Sequence, residues 1–206
     1  MLKAVIFDAY GTLMRITDRR DPYKKLIRRE IFSSYLNGIT IPDARRICLT
    51  EDIMTMRELA KRLTGRDLDT SRYESDLREE VASVELYDDT LRALTWLKDE
   101  GIALGLVSNL ASPYKEPFFR HDLDKLITEP VFSCEAGMVK PDPRIYLLAL
   151  ERLGIPAENA LMIGDSERND VEGPASIGME SVLLDWTGSK KRRRKIITLD
   201  DIASLI

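Results

Sequence analysis

The feature that most constrains this chain is a recurrence of short apolar runs, each followed at once by polar residues, at 3–7, 102–107, 160–163 and 181–184. Runs this short, rich in Val, Ile and Leu and closed by turn-forming or charged residues, read as buried strands. Before the second run and between the later ones lie stretches of helical period. Residues 89–99 carry Leu91, Leu94 and Leu97 three apart, and residues 142–153 place Tyr146, Leu147, Leu150 and Leu153 on one face. Strands alternating with helices predict an α/β fold, a parallel sheet with helices on its faces.

Residues 15–86 interrupt that alternation with successive helical segments and no convincing strand. Asp21-Pro22 supplies an N-cap and a first-turn proline for a helix reaching about Asn37-Gly38. Pro42 opens a second, in which Ile53, Met56, Ala60 and Leu63 recur at helical spacing before Gly65 stops it. Ser71-x-x-Glu74 reads as the capping box of a third, with Tyr73, Leu77, Val81 and Val84 along one face. The expected organisation is therefore an α/β core formed by residues 1–14 and 87–206, with a helical domain, 15–86, inserted after the first strand.

Composition narrows the functional classes. A net charge of −4 argues against a nucleic-acid partner, since phosphate neutralisation needs a basic surface. The one basic block, residues 190–195 (K-K-R-R-R-K), reads as a solvated loop. No apolar run approaches the roughly 20 residues of a membrane span, and 2–7 is too short for a signal peptide, so a cytoplasmic protein is expected. Cys48 and Cys134, far apart and without a partner pattern, read as buried reduced thiols. His121, the only histidine, falls in a segment expected to be solvent-exposed. Nothing sets an oligomeric state.

In open parallel sheets ligands bind beyond the carboxyl ends of the strands. The polar residues found there are Asp8 after the first run, Ser108 and Asn109 after the second, and Asp165, Asn169 and Asp170 after the third. Lys140 stands in a G-M-V-K-P loop just before a helix. One aspartate at a strand end is usually a cap or turn residue. Several at successive strand ends instead predict a crevice holding three carboxylates, an ammonium and a hydroxyl. Clustered carboxylates repel unless compensated, and oxygen ligands favour Mg²⁺.

These residues resemble the haloacid dehalogenase (HAD) superfamily of hydrolases and phosphotransferases. Its four motifs are matched in order by Asp8-Ala-Tyr-Gly-Thr12, Ser108, Lys140-Pro141 and Gly164-Asp165-Ser-Glu-Arg-Asn-Asp170. The resemblance implies a Rossmann-like core with the helical insertion in the place of the family's C1 cap. It implies Asp8 as nucleophile and Mg²⁺ held by Asp8, Asp165 and the backbone carbonyl of Tyr10, with Asn169 and Asp170 orienting that site. Ser108 and Lys140 would bind the transferring group's oxygens, helped by the amides of Asn109 and the Gly11-Thr12 turn. The substrate implied is a small molecule, most readily a phosphorylated metabolite.

Tyr10 departs from this pattern. Phosphatases of the superfamily carry a second aspartate two residues after the nucleophile, which acts as general acid and base. A phenol with an ordinary pKa near 10 substitutes poorly for it near neutrality. The D-x-Y-G-T stretch also resembles the 2-haloacid dehalogenases, whose departing halide needs no proton and whose displacement needs no metal. Tyr146 stands where those enzymes have a tyrosine, and Arg28 and Arg29 are candidates for a halide or carboxylate clamp. Asp165 points the other way, because metal-free chemistry gives no reason to hold it beside Asp8. Three readings follow: a Mg²⁺-dependent phosphatase, a metal-independent dehalogenase, and a catalytically weak protein that acts by binding a partner.

Overall fold

The computed structural model describes residues 1–33, 39–190 and 194–205, and only the backbone of residues 30–33. Strand β1 (Ala4–Phe7) leads through the short β2 (Met14–Ile16) into helices α1 (Pro22–Ser33), α2 (Ile41–Thr50), α3 (Met56–Thr64) and α4 (Ser71–Ala82). Strand β3 (Val84–Leu86) and helix α5 (Thr90–Asp99) follow. The remaining strands are β4 (Ala103–Ser108), β5 (Glu129–Phe132), β6 (Ala160–Gly164), β7 (Glu180–Leu184) and β8 (Lys195–Ile196). These five and β1 form a sheet in the order β5-β4-β1-β6-β7-β8, parallel at every pairing.

Two residues per repeat along β1 decide the layering. Val5 and Phe7 face one apolar cluster with Leu94, Leu97 and Leu106, while Ala4 and Ile6 face another with Ile145, Tyr146, Ala149 and Met162. Phe7 pairs with Leu106 on one side and Ile163 on the other. The residues that follow β1, β4 and β6 therefore leave the sheet at one edge.

The helix faces differ from simple threefold spacing. Helix α5 buries Thr90, Ala93, Leu94 and Leu97, leaving Leu91 49% exposed. Helix Pro143–Leu153 buries Ile145, Tyr146, Ala149 and Leu150, leaving Leu147 49% exposed. A 3.6-residue turn demands alternating steps of three and four, which a run of threes drifts away from.

The segment between β2 and β3 contains four helices among the described residues. The stretch expected as one helix from Pro42 to Gly65 is two. Thr40 and Asp43 form a capping box for α2, and Thr55 and Glu58 form another that restarts the chain as α3. Ile53 lies in the turn between them. Gly65, at φ 71°, ends α3 in the left-handed conformation that glycine adopts without strain. Helix α4 corrects a second expectation: its N-cap is Thr70, Ser71 hydrogen-bonds Asp69, and Glu74 accepts from the Arg57 amide. Val84 belongs to β3 rather than to that helix. The expected end of the first helix, near 37–38, lies outside the described residues. Leu26, Met56, Leu59, Leu63, Tyr73 and Leu77 give these helices an apolar cluster of their own. β2 and β3 pair antiparallel where the chain leaves and returns, Met14 with Leu86 and Ile16 with Val84.

Cys48 and Cys134 are buried and unbridged. His121 is half-buried, not exposed, with Nε2 3.0 Å from the Val84 carbonyl. Among the described residues no helix is long and apolar enough to cross a membrane. Truncating Leu106, fully buried against the face that carries α5, is expected to cost about 2–5 kcal/mol in Leu106→Ala. Urea unfolding should show this as a lower midpoint at unchanged m-value.

Candidate active site

Asp8 emerges from β1 at the sheet edge, its amide bonded to the Ile163 carbonyl at 2.9 Å. Its Oδ1 accepts from the Ser108 hydroxyl at 3.0 Å and from the Lys140 ammonium at 2.7 Å. The same ammonium donates to Asp170 Oδ1 at 2.6 Å, with the two side chains only 2% and 1% exposed. Burial alone would lower the Lys140 amine, but the neighbouring Asp8 and Asp170 carboxylates outweigh it and hold the ammonium above its ordinary range.

Two glycines make room for the acidic groups. Gly11 has φ 88°, and a Cβ there would stand 2.6 Å from Asp165 Oδ2. A Cβ on Gly164 would stand 2.3 Å from Asp170 Cγ. After Gly164 the chain makes a π-helical turn, Glu167–Glu172, that returns Asp170 beneath the strand end, where its Oδ2 accepts from the Ser166 amide at 3.0 Å. Such turns recur at functional sites because they re-aim one side chain. Burial is the main force raising the Asp170 carboxyl above its ordinary range, opposed by Lys140 and reinforced by Asp8. Asp165 is raised too, by burial first and the Asp8 charge second.

The lysine loop is set by Asn109, whose side chain clamps the Lys140 backbone at both ends. Its Nδ2 donates to the Lys140 carbonyl at 3.0 Å, and its Oδ1 accepts from the Lys140 amide at 2.8 Å. Thr12 is fully buried and its Oγ1 has no hydrogen-bond partner among the described residues. Asn169 takes part through its main chain, its carbonyl accepting the Tyr146 hydroxyl and its amide bonding Ser166 Oγ. Arg28 and Arg29 are exposed on α1.

Tyr10 turns its hydroxyl away from Asp8 chemistry. The phenol donates to the Tyr114 carbonyl at 2.9 Å, and the two rings meet edge to face at 5.8 Å. Burial raises its pKa well above the ordinary tyrosine value.

Three contributors escape sequence reasoning. Trp186 Nε1 donates to the Gly11 carbonyl at 2.8 Å and stacks on Tyr87 at 4.1 Å, bracing the loop that follows Asp8. Lys190 Nζ donates to the Asp165 carbonyl. Lys195 Nζ bonds Asp185 Oδ2 at 2.9 Å and the Lys190 carbonyl at 2.6 Å, and this ammonium is the main reason the Asp185 carboxyl lies far below its usual range. The ends of the basic block thus fold inward as loop fasteners. Asp185, immediately after β7, was the available signal.

The donor set suits a hard cation. One carboxylate oxygen each from Asp8, Asp165 and Asp170 lie within 4.8 Å of one another. Octahedral Mg²⁺ places adjacent and opposite oxygens roughly 3 and 4 Å apart. Three carboxylates face one bridging ammonium, and the cleared space at Gly11 lets Asp165 approach the loop that follows Asp8.

The haloacid dehalogenase-like hydrolase family matches residues 2–178, and the chain belongs to that family. It is a hydrolase. A phosphorylated carbohydrates phosphatase of Thermotoga maritima is 32% identical over 189 residues, 88% of this chain and 84% of that one. A glyceraldehyde 3-phosphate phosphatase of Methanopyrus kandleri is 35% identical over 104 residues, 50% of this chain and 45% of that protein. Among solved structures, an HAD phosphatase from Thermococcus onnurineus superposes at TM-score 0.69 with 27% identity, covering 99% of this chain and 97% of the other. A 2-haloacid dehalogenase from Pseudomonas syringae shares the fold at TM-score 0.69 and 19% identity, over 100% of this chain and 98% of its own.

Removing one member of a buried ion pair costs about 3–5 kcal/mol, since it leaves uncompensated charge. Lys140→Met is expected to lose that much in urea unfolding. Lys140→Met combined with Asp170→Asn should recover part of it, which a purely steric role for Lys140 does not predict.

Proposed function

We propose that the chain is a Mg²⁺-dependent phosphatase acting on a small phosphorylated metabolite, with residues 15–86 as a cap over the site. The observation that carries this is Asp165, kept beside Asp8 with Gly11 clearing its path, where burial and the Asp8 charge both oppose its ionisation. A cation removes that opposition; metal-free displacement leaves it standing.

In this reading Asp8 is the nucleophile. Ser108 and Lys140 both occupy Oδ1, so Oδ2, which accepts no hydrogen bond among the described residues, is the attacking oxygen. Asp8, Asp165 and the Tyr10 carbonyl would hold the ion, with Asp170 and Asn169 orienting it. The chemistry such an ion supplies is charge neutralisation between an anionic carboxylate and an approaching phosphoryl group. Lys140 and Ser108 fix the carboxylate and offset charge on the transferring oxygens. Asn109 clamps the Lys140 backbone, and its own amide would bind the phosphoryl group; the Gly11 and Thr12 amides, expected to help, are already given to the Met14 and Ala9 carbonyls at 2.8 and 3.3 Å.

Tyr10 favours the second reading, a metal-independent 2-haloacid dehalogenase on the same Asp8. The purified chain should hydrolyse p-nitrophenyl phosphate with Mg²⁺, lose that activity in EDTA, and fall on the order of 10³-fold or more in kcat with Asp8→Asn. Halide release from a 2-haloacid in the presence of chelator, with no phosphate ester turned over, would establish the dehalogenase instead. No turnover of either class would leave a binding role.

A further inference from the structure

The phosphatase reading raises the question of what protonates the departing oxygen: among the described residues around Asp8 the uncommitted hydroxyl is that of Thr12, an alcohol far too weak an acid for the task, and every stronger acid is engaged. Tyr10 has committed its hydroxyl to Tyr114. Ser108 has committed its hydroxyl to Asp8, and the Lys140 ammonium is divided between two carboxylates. Asp170 accepts at both oxygens, from Lys140 and from the Ser166 amide. Asp165 is a carboxylate of the ion site, and His121 is bonded to the β3 carbonyl of Val84.

A second, independent observation concerns the space beyond Tyr10. A cavity of about 350 Å³ opens between the core and helices α1 and α2, near the lower end of small-molecule sites. Most of its wall is apolar, with Tyr10, Tyr23, Leu49 and Tyr114 on it, and Asp21, Lys24, Arg45 and Asn109 supply its polar part. The buried acid on that wall, Glu80, is already engaged by the Tyr114 hydroxyl at 2.6 Å and the Asp21 amide at 2.6 Å. These polar groups cover a small part of the wall, so a polyol would leave most of its hydroxyls against carbon. An aromatic or otherwise apolar body would lose nothing by entering.

We infer that the substrate is a phosphate ester or mixed anhydride whose leaving group departs as a stable anion, a phenolate, enolate or carboxylate, with an apolar body seated in this cavity. The inference rests on the phosphatase reading and deepens it. Asp8 Oδ2 bonds to phosphorus as the bond from phosphorus to the leaving oxygen breaks, and the electron pair departs on that oxygen with no proton required. Water then adds at phosphorus and the bond to Asp8 breaks, restoring the carboxylate. The water's protons end on phosphate oxygens as dihydrogenphosphate, which exchanges with solvent. An alkoxide lacks this route, and without a general acid its loss is slower by about 10² to 10⁴.

The test is kinetic, on the full chain with Mg²⁺. Across substituted phenyl phosphates, log kcat/KM should fall by roughly 0.5 or more per unit rise in leaving-group pKa, and glycerol 3-phosphate should be at least about a hundredfold slower than p-nitrophenyl phosphate. Acetyl phosphate separates the leaving group from its body. Leu49→Trp, which fills the cavity, should raise KM for p-nitrophenyl phosphate about tenfold or more and leave that for acetyl phosphate within about twofold. A slope near zero, with the alkyl ester as fast as the aryl one, would overturn the inference and leave the phosphatase standing. An equal effect of Leu49→Trp on both substrates would overturn the seating of the body. No hydrolysis of any of these esters would remove the phosphatase reading itself.

Discussion

The Lys140 ammonium, buried between Asp8 and Asp170, is the interaction on which the rest of the site depends. It ties together the end of β1, the π-helical turn after β6 and the loop that Asn109 clamps. A buried ion cluster is a poor source of net stability, because desolvation offsets most of the Coulomb energy. What it supplies is position: the Asp8 Oδ1 oxygen is fixed, and the like charges around it tolerate one another. Gly11 and Gly164 follow from the same demand, since any side chain at either place would collide with a carboxylate. Trp186 and Lys190 brace the loops after Asp8 and β6 through the Gly11 and Asp165 carbonyls.

The aromatic side of the site is built on a different logic. Tyr10, Tyr23 and Tyr114 form a contiguous group, with Tyr114 reaching Glu80 on α4. Lys115, the next residue, pairs with Asp52 at 3.1 Å and Glu135 at 2.7 Å. The helical segment is thereby held against the core by polar contacts around an apolar cavity. Tyr10 belongs to this wall more than to the acid–base apparatus: its phenol is a structural donor, and its burial resists any change of protonation. In the proposed phosphatase reading, such a residue leaves the reaction dependent on its leaving group.

Much of this was legible in the sequence, and the failures have physical reasons. The buried strands showed because β1, β4, β6 and β7 are long enough to display an apolar run. β2, β3 and β8 span two or three residues, too few for any period, and β5 carries Pro130, which an edge strand tolerates and a sequence pattern does not. The acidic and basic residues at the strand ends were found because strand ends converge in a parallel sheet. Asn109 was assigned to substrate through its amide, while its side chain clamps the lysine loop, a contact between residues 31 apart that no local pattern encodes. The split between α2 and α3 was hidden because apolar spacing continues across the turn, while the capping box at Thr55 states the break. The basic block read as solvated because a run of like charge usually is, and its ends turn inward here only because Asp185 and the Asp165 carbonyl wait for them.

The central claim is that Asp8 attacks phosphorus with the help of an ion held by its acidic neighbours. Rapid acid quench during turnover of p-nitrophenyl phosphate with Mg²⁺, followed by mass spectrometry of the proteolysed chain, tests it most directly. The account predicts a phosphoryl group on Asp8, absent when EDTA replaces the metal and absent in Asp165→Asn. Sustained release of phosphate with Asp8 unmodified at every quench time, or phosphorylation undiminished by EDTA, would contradict it.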